Sequence, residues 1–354
     1  MLALKAVALT APERFEVVDV PATPAGPGQA LVAVESAGIC GTDVSIFHGK
    51  IPVEYPRVLG HEVIGRVRRA GGRGLAPEGA RVLVNPSVAC GTCHTCHAGN
   101  EHLCPDGALI GRDVDGGFAD LIAADETRLL RVPEQLSPTE ASLLQVAGTC
   151  VHAQRSVPVF PGQSVVVIGL GVAGCIMLQL LRARGVTDVL GVTRSPQKAR
   201  LVERFSPARV VVPGDAAAAC SDMTGGRGAD IVIEAVGTPA TLAQAIRLAG
   251  LAATIVLFGT IGQAAPSASL PFYDLYYKEL TIRNPRAARH RDYQLAIDLA
   301  AAGRLDLGLL WSQGFALDAV ADALAATEDP ANLKITLTPG AGGDQPSRSA
   351  SARA

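Results

Sequence analysis

Residues 164–181 read SVVVIGLGVAGCIMLQLL, eighteen positions without a charge. An apolar run of that length reaches the lower limit for a membrane span. Three glycines interrupt its middle, and its β-branched residues gather at the start, which is the pattern of a strand, a turn and a buried helix. Gly169, Gly171 and Gly174 keep the G-x-G-x-x-G spacing. The first permits a tight turn, the second lets the backbone approach a pyrophosphate, and the third lets the helix pack closely on the strand. Val172 and Ala173 complete the first turn of that helix, whose positive end faces phosphate groups. Alone the pattern is weak; its surroundings decide it.

Working outward, the apolar runs SVVVIGL, DVLGVT, ARVVVP, ADIVIEAVG and ATIVLFG alternate with helix-like stretches such as SPQKARLVERF and ATLAQAIRLAG. That alternation predicts βαβ units and a doubly wound parallel sheet, a Rossmann-type α/β domain over 148–285. At the end of its second strand an NAD enzyme places a carboxylate on the ribose. This chain has Thr193, Arg194 and Ser195, with Lys198 close behind. No carboxylate repels a 2′-phosphate there, and a guanidinium is available to grip one, so NADP(H) is expected over NAD(H). Stacking of Arg194 beneath the adenine, with NAD still usable, is the alternative.

Upstream, short strands such as ALVAVESAG, VIGRVRRAGG and ARVLVNP are punctuated by Gly and Pro, the signature of a barrel-like all-β domain. Downstream, DYQLAIDLAAAGRL reads as an amphipathic helix and NLKITLTP as a returning strand. The β domain is therefore expected over 1–147 and 286–338, with a disordered Gly/Ser/Ala-rich tail at 339–354. A net charge of −2 spread along 354 residues gives no electrostatic footprint for nucleic acid or anionic membrane. The N-terminus shows no secretory signal pattern, which points to a reducing, cytoplasmic setting.

Four of the eight cysteines, Cys90, Cys93, Cys96 and Cys104, fall in one loop spanning 88–105. Four thiolates at this spacing suit a tetrahedral structural zinc. Disulfides and an iron–sulfur cluster are the alternatives. The neighbouring His94, His97 and His102 are alternative ligands, but with four cysteines available they are read as solvent-exposed. AGICGTD places Cys40 before Thr42 and Asp43, and VLGHEVIG places His61 beside Glu62.

Taken in order, these four motifs resemble the zinc-dependent medium-chain alcohol and polyol dehydrogenases, over residues 1 to about 338. The resemblance implies a GroES-like β-barrel catalytic domain joined to the Rossmann domain, with two zinc ions per chain. Cys40 and His61 match the constant ligands of a catalytic zinc, and Glu62 matches the adjacent carboxylate of the sorbitol and threonine dehydrogenase branch. Gln145 falls where that branch carries a further ligand, usually Glu, and Cys150 is its rival. A neutral amide there leaves the metal a stronger Lewis acid.

Thr42 matches the hydroxyl that touches the substrate oxygen, and His48 either continues the relay that starts there, lines the cleft or sits exposed on a loop. Asp43 is expected to hold a ligand imidazole by a hydrogen bond. Thr149 matches a residue packing on the nicotinamide, and Gly259 the strand end that meets its carboxamide. Arg286 is placed near phosphate or substrate. The resemblance implies hydride transfer between NADP(H) and a polar secondary alcohol or ketone of polyol, sugar, cyclitol or amino-alcohol type. A zinc-free type of quinone or enone reductase and a non-catalytic NADPH-binding sensor are the rivals, and the Cys40, His61, Glu62 and Thr42 set argues against both. The strands ATIVLFG and LTIRNP end near an edge that relatives use to pair, so a homodimer or homotetramer is expected.

Overall fold

The computed structural model describes residues 4–20, 25–262 and 270–339, so nearly all of the tail expected to be disordered lies outside the described residues. By packing, the chain divides into two units. Of the described residues, one comprises those within 4–88, 108–134 and 311–339, the other those within Ala89–Gly107 and Gln135–Leu310. This division differs from the expected cuts at 147/148 and 285/286. Leu144–Arg155 is one uninterrupted helix, and the helix His290–Ala301 packs on it. Both therefore travel with the parallel sheet, and so does the cysteine loop.

In the first unit, strand Gln29–Gly38 turns Ala30, Val32 and Val34 to the core at every second position. That is the period of a strand with one face covered. It pairs antiparallel with Glu62–Arg69 along one edge, and with Leu121–Asp125 and Lys334–Thr338 along the other. A three-stranded sheet of Arg14–Val20, Leu4–Ala11 and Arg57–Val58 shares the core, in which Val7, Leu9, Val32, Ile46, Val63 and Phe118 are fully buried. Each such large side chain contributes roughly 1.5–3 kcal/mol by leaving water. The register sets Gly38 opposite Glu62. The exit of one strand, toward Cys40, and the entry of its neighbour, at His61, therefore leave the sheet side by side.

The second unit holds a six-stranded, wholly parallel sheet. Its order is Arg209–Val211, Val189–Val192, Val165–Ile168, Ala229–Glu234, Ala249–Leu257, Thr281–Arg283. Numbered along the chain this is 3-2-1-4-5-6, the doubly wound order with its switch point beside the first strand. The strand–turn–helix reading of 164–181 holds: Val165–Ile168 is a strand and Val172–Ala183 a helix of 12 residues. No helix among the described residues is long and apolar enough to cross a membrane.

Candidate active site

In the first unit, Cys40 Sγ, a His61 ring nitrogen and a Glu62 carboxylate oxygen lie within 4.8 Å of one another. Among the described residues, the buried atoms His61 Nδ1 and Glu62 Oε1 have no hydrogen-bond partner. Native interiors leave few such atoms idle. Burial opposes charge on His61, yet the Asp43 carboxylate and the Cys40 thiolate outweigh it and push the imidazole well above its usual value. The position favours a cation, and a divalent ion in place of the proton meets that demand. Thiolate, imidazole and carboxylate together are a donor set that zinc accepts.

Asp43 is fully buried and accepts hydrogen bonds from the backbone N–H of Cys40 at 2.8 Å and of Gly60 at 3.3 Å. It thereby ties the two ligand-bearing segments together and caps the helix Gly41–Phe47. Its Oδ1 stands 3.5 Å from His61 Nδ1, an ionic contact beyond good hydrogen-bond length. The expected hydrogen bond to the imidazole is thus replaced by bonds to backbone. Thr42 Oγ1 lies 3.8 Å from Cys40 Sγ. His48 goes elsewhere. Its ring faces Glu13 at 3.0 Å and Glu328 at 3.8 Å, rather than Thr42 or the metal-ligand cluster.

Lys334 was not singled out from the sequence. Its ammonium donates to Glu62 Oε2 at 2.5 Å and to the carbonyl of Ile39 at 3.1 Å, and both members of the pair are buried. The one sequence signal is a lysine inside an otherwise strand-like run. It leaves Glu62 with Oε1 uncommitted and its charge partly offset.

In the second unit, Cys93 and Cys104 sulfurs are 3.8 Å apart and Cys90 and Cys104 sulfurs 3.6 Å apart. A disulfide needs about 2.05 Å. Four sulfurs at about 2.3 Å from a central zinc stand about 3.8 Å from each other. Hydrogen bonds from Thr92, backbone before hydroxyl, hold the Cys90 thiol down at about 6, whereas burial and then the neighbouring sulfurs push Cys96 up to about 12. Four crowded sulfurs of which one resists ionising form a site that a cation completes. His94 and His97 are exposed as expected, but His102 is buried. Burial, followed by the charges of His152 and Arg289, pushes His102 down to about 4.

Gly169 has a φ of +92°, and a Cβ on Gly174 would overlap the Gly169 carbonyl oxygen, so turn and helix close only with glycine. A Cβ on Gly171 would meet nothing within 4 Å. The space over it is open, and no side chain caps the N–H groups opening the helix at Val172, Ala173 and Gly174. That is a cradle for phosphate oxygens. Ser195 caps the helix Pro196–Val202, accepting from Lys198 N, and Thr193 accepts from Ser195 N. Arg194 stands exposed with no polar partner among the described residues. Gly259 packs against the backbone of Gly237, both anchored by Glu234 at the end of its strand. Arg286 is exposed.

Gln145 is buried on the Leu144–Arg155 helix and donates from Nε2 to the Tyr293 hydroxyl at 3.4 Å. Thr149, on the same helix, donates to the carbonyl of Val146 at 2.7 Å. Cys150 is fully buried and points at the Ala173 carbonyl, a packing thiol.

Residues 26–134 match the family model described as alcohol dehydrogenase GroES-like domain, and residues 172–302 the model described as zinc-binding dehydrogenase. The "Probable D-xylulose reductase A" of Aspergillus terreus is 31% identical over 79% of this chain and 82% of its own. A protein of Sinorhizobium meliloti 1021 described as "putative zinc-binding dehydrogenase", solved with NADP bound, is 31% identical at a TM-score of 0.87, covering 96% of this chain and all of that one. An alcohol dehydrogenase of Escherichia coli CFT073, solved with NADH, is 27% identical at a TM-score of 0.86, covering 95% of this chain and 99% of that one.

Proposed function

The chain belongs to the zinc-dependent alcohol dehydrogenase family, with a GroES-like domain and a Rossmann-like parallel sheet, and on that premise we propose that it moves hydride between NADP(H) and a polar secondary alcohol or its ketone. The observation that carries this reading is the convergence of Cys40, His61 and Glu62 within 4.8 Å of one another, with the buried Glu62 Oε1 left without a partner among the described residues. Zinc held there supplies a Lewis acid for the substrate oxygen. Thr42, whose hydroxyl neighbours Cys40, holds the proton that the substrate oxygen loses or gains. The open N–H groups after Gly171 bind the pyrophosphate, while Thr149 and Gly259 border the nicotinamide. The second ion, held by Cys90, Cys93, Cys96 and Cys104, is structural.

Arg194 supports the NADP(H) preference, because it is the cation within the turn after Val189–Val192 and has no polar partner among the described residues. The xylulose reductase relative supports a polyol-type substrate. Gln145 is a proposed further ligand through Oε1, its Nε2 being engaged by Tyr293. Replacing it by Glu then raises zinc affinity and shifts the pH–rate profile, whereas unchanged values remove Gln145 from the metal. A homo-oligomer is proposed from the edge strand Thr281–Arg283, exposed at every residue, beside the exposed Phe272, Tyr273, Tyr276 and Tyr277. Metal-binding thiols that must stay reduced support a cytoplasmic setting.

The test is a panel of secondary polyols, sugars and simple alcohols assayed with both cofactors. Highest kcat/KM for a vicinal polyol or its ketone with NADP(H) supports the reading; preference for primary alcohols or for NAD(H) overturns it.

A further inference from the structure

Among residues 89–107 the cysteine loop buries one side chain, His102, at 7% exposure, while the adjacent Leu103 is 44% exposed. A loop that shows water its leucine and hides its imidazole has a specific use for that ring. The His102 ring stands edge-on to the ring of His152, with centroids 4.7 Å apart and planes at 70°. His102 Nδ1 is buried without a partner among the described residues, so packing of the ring carries the contact.

From His152 the connection continues in one direction. Its Nδ1 lies 2.7 Å from Asp292 Oδ2, and Asp292 Oδ1 accepts from Arg155 at 2.8 Å. Asp292 also caps its own helix through Arg289 N. The loop grips the start of that helix at two more points. Asn100 Oδ1 accepts from Arg289 Nη2 at 2.6 Å, and Glu101 Oε1 accepts from His290 N at 2.8 Å. One residue beyond Asp292, the fully buried Tyr293 occupies the space that Gly148 leaves open, since a Cβ on Gly148 would come within 2.1 Å of Tyr293 Cδ1. Tyr293 then takes the hydrogen bond from Gln145. All of these residues belong to the second unit.

We propose that His102, His152 and Asp292 form a latch through which the metal-holding cysteine loop fixes the seating of the helix His290–Ala301 on the helix Leu144–Arg155. The three act as positioning residues for Gln145 and Thr149. Packed helix pairs shift between discrete seatings rather than deforming smoothly, so release of the loop is felt at Tyr293 and Gln145. The coupling is reciprocal: whatever loosens the helix pair loosens the loop. Its consequence for catalysis rests on the proposed roles of Gln145 and Thr149, but the latch itself is read without any turnover.

Amide hydrogen exchange on the full, metal-loaded chain tests it. His102→Ala and Cys104→Ser each raise exchange across 144–155 and 290–301 by at least about fivefold, the lower end of measured coupling between sites. His102→Phe, which keeps an apolar ring, stays at the wild-type level. Asp292→Asn, probing from the opposite end, raises exchange across 89–107, so the latch stays testable should Cys104→Ser fail to fold. The proposal is overturned if His102→Ala or Cys104→Ser frees the loop while both helices exchange as in wild type. It is also overturned if Asp292→Asn leaves the loop unchanged, or if His102→Phe behaves like His102→Ala.

Discussion

Lys334 and Glu62 show how much of the candidate metal centre depends on one buried charge pair. Taking Lys334 away strands a carboxylate in the interior, which in other buried pairs costs about 3–5 kcal/mol. Lys334→Met is therefore expected to lower unfolding stability by about 3 kcal/mol in urea titration, and adding Glu62→Gln is expected to recover much of that loss. A single variant as stable as wild type contradicts the pairing. Arg194 plays its part in the open, at the cofactor turn. If it grips the 2′-phosphate, Arg194→Ala removes a hydrogen bond to a charged group, about 1.5–3 kcal/mol. The expected reading is a loss of roughly tenfold to a hundredfold in kcat/KM with NADP(H) and little change with NAD(H). Equal losses with both cofactors assign Arg194 to stacking instead.

Among elements, the pair Leu144–Arg155 and His290–Ala301 carries the pH dependence most open to measurement. Burial pushes the Asp292 carboxyl up, but its hydrogen bond to His152 and the charges of His152 and Arg155 outweigh burial and hold it below the ordinary range. Its folded value lies below its unfolded value. The stability it confers is then complete above the unfolded value, near 4, and is lost as pH falls through the folded one. Denaturant titrations between about pH 5 and 3 should show wild type losing stability more steeply than Asp292→Asn; parallel curves contradict the assignment. This pair also marks the limit of what the chain shows in one dimension. The strands and the glycine turn are legible because their signals lie within a few neighbouring residues. His152 and Asp292 are 140 positions apart, Gln145 and Tyr293 148, and Lys334 and Glu62 272. No local period records such pairings. His102 was read as exposed for the same reason, since its packing partner sits fifty residues away on a helix.

Across the whole molecule, two metal-ligand sets stand in two separately packed units: Cys40, His61 and Glu62 in one, and the four-cysteine loop in the other. The four-cysteine set was visible as a motif, because its ligands fall within one short segment, whereas Cys40 and His61, 21 positions apart, were assigned through the family resemblance. The way the units divide was not visible, because packing between 89–107, 135–155 and 286–310 depends on contacts that only the fold creates. If each set holds its own ion, the two can be removed independently. The most direct measurement is the zinc content per chain of wild type beside a Cys40→Ser/His61→Ala double variant, with dehydrogenase activity assayed on the same samples. The account predicts two ions in wild type, and one in the variant, which keeps its fold and loses turnover. A wild type with a single ion, or a double variant that retains both ions and its activity, contradicts it.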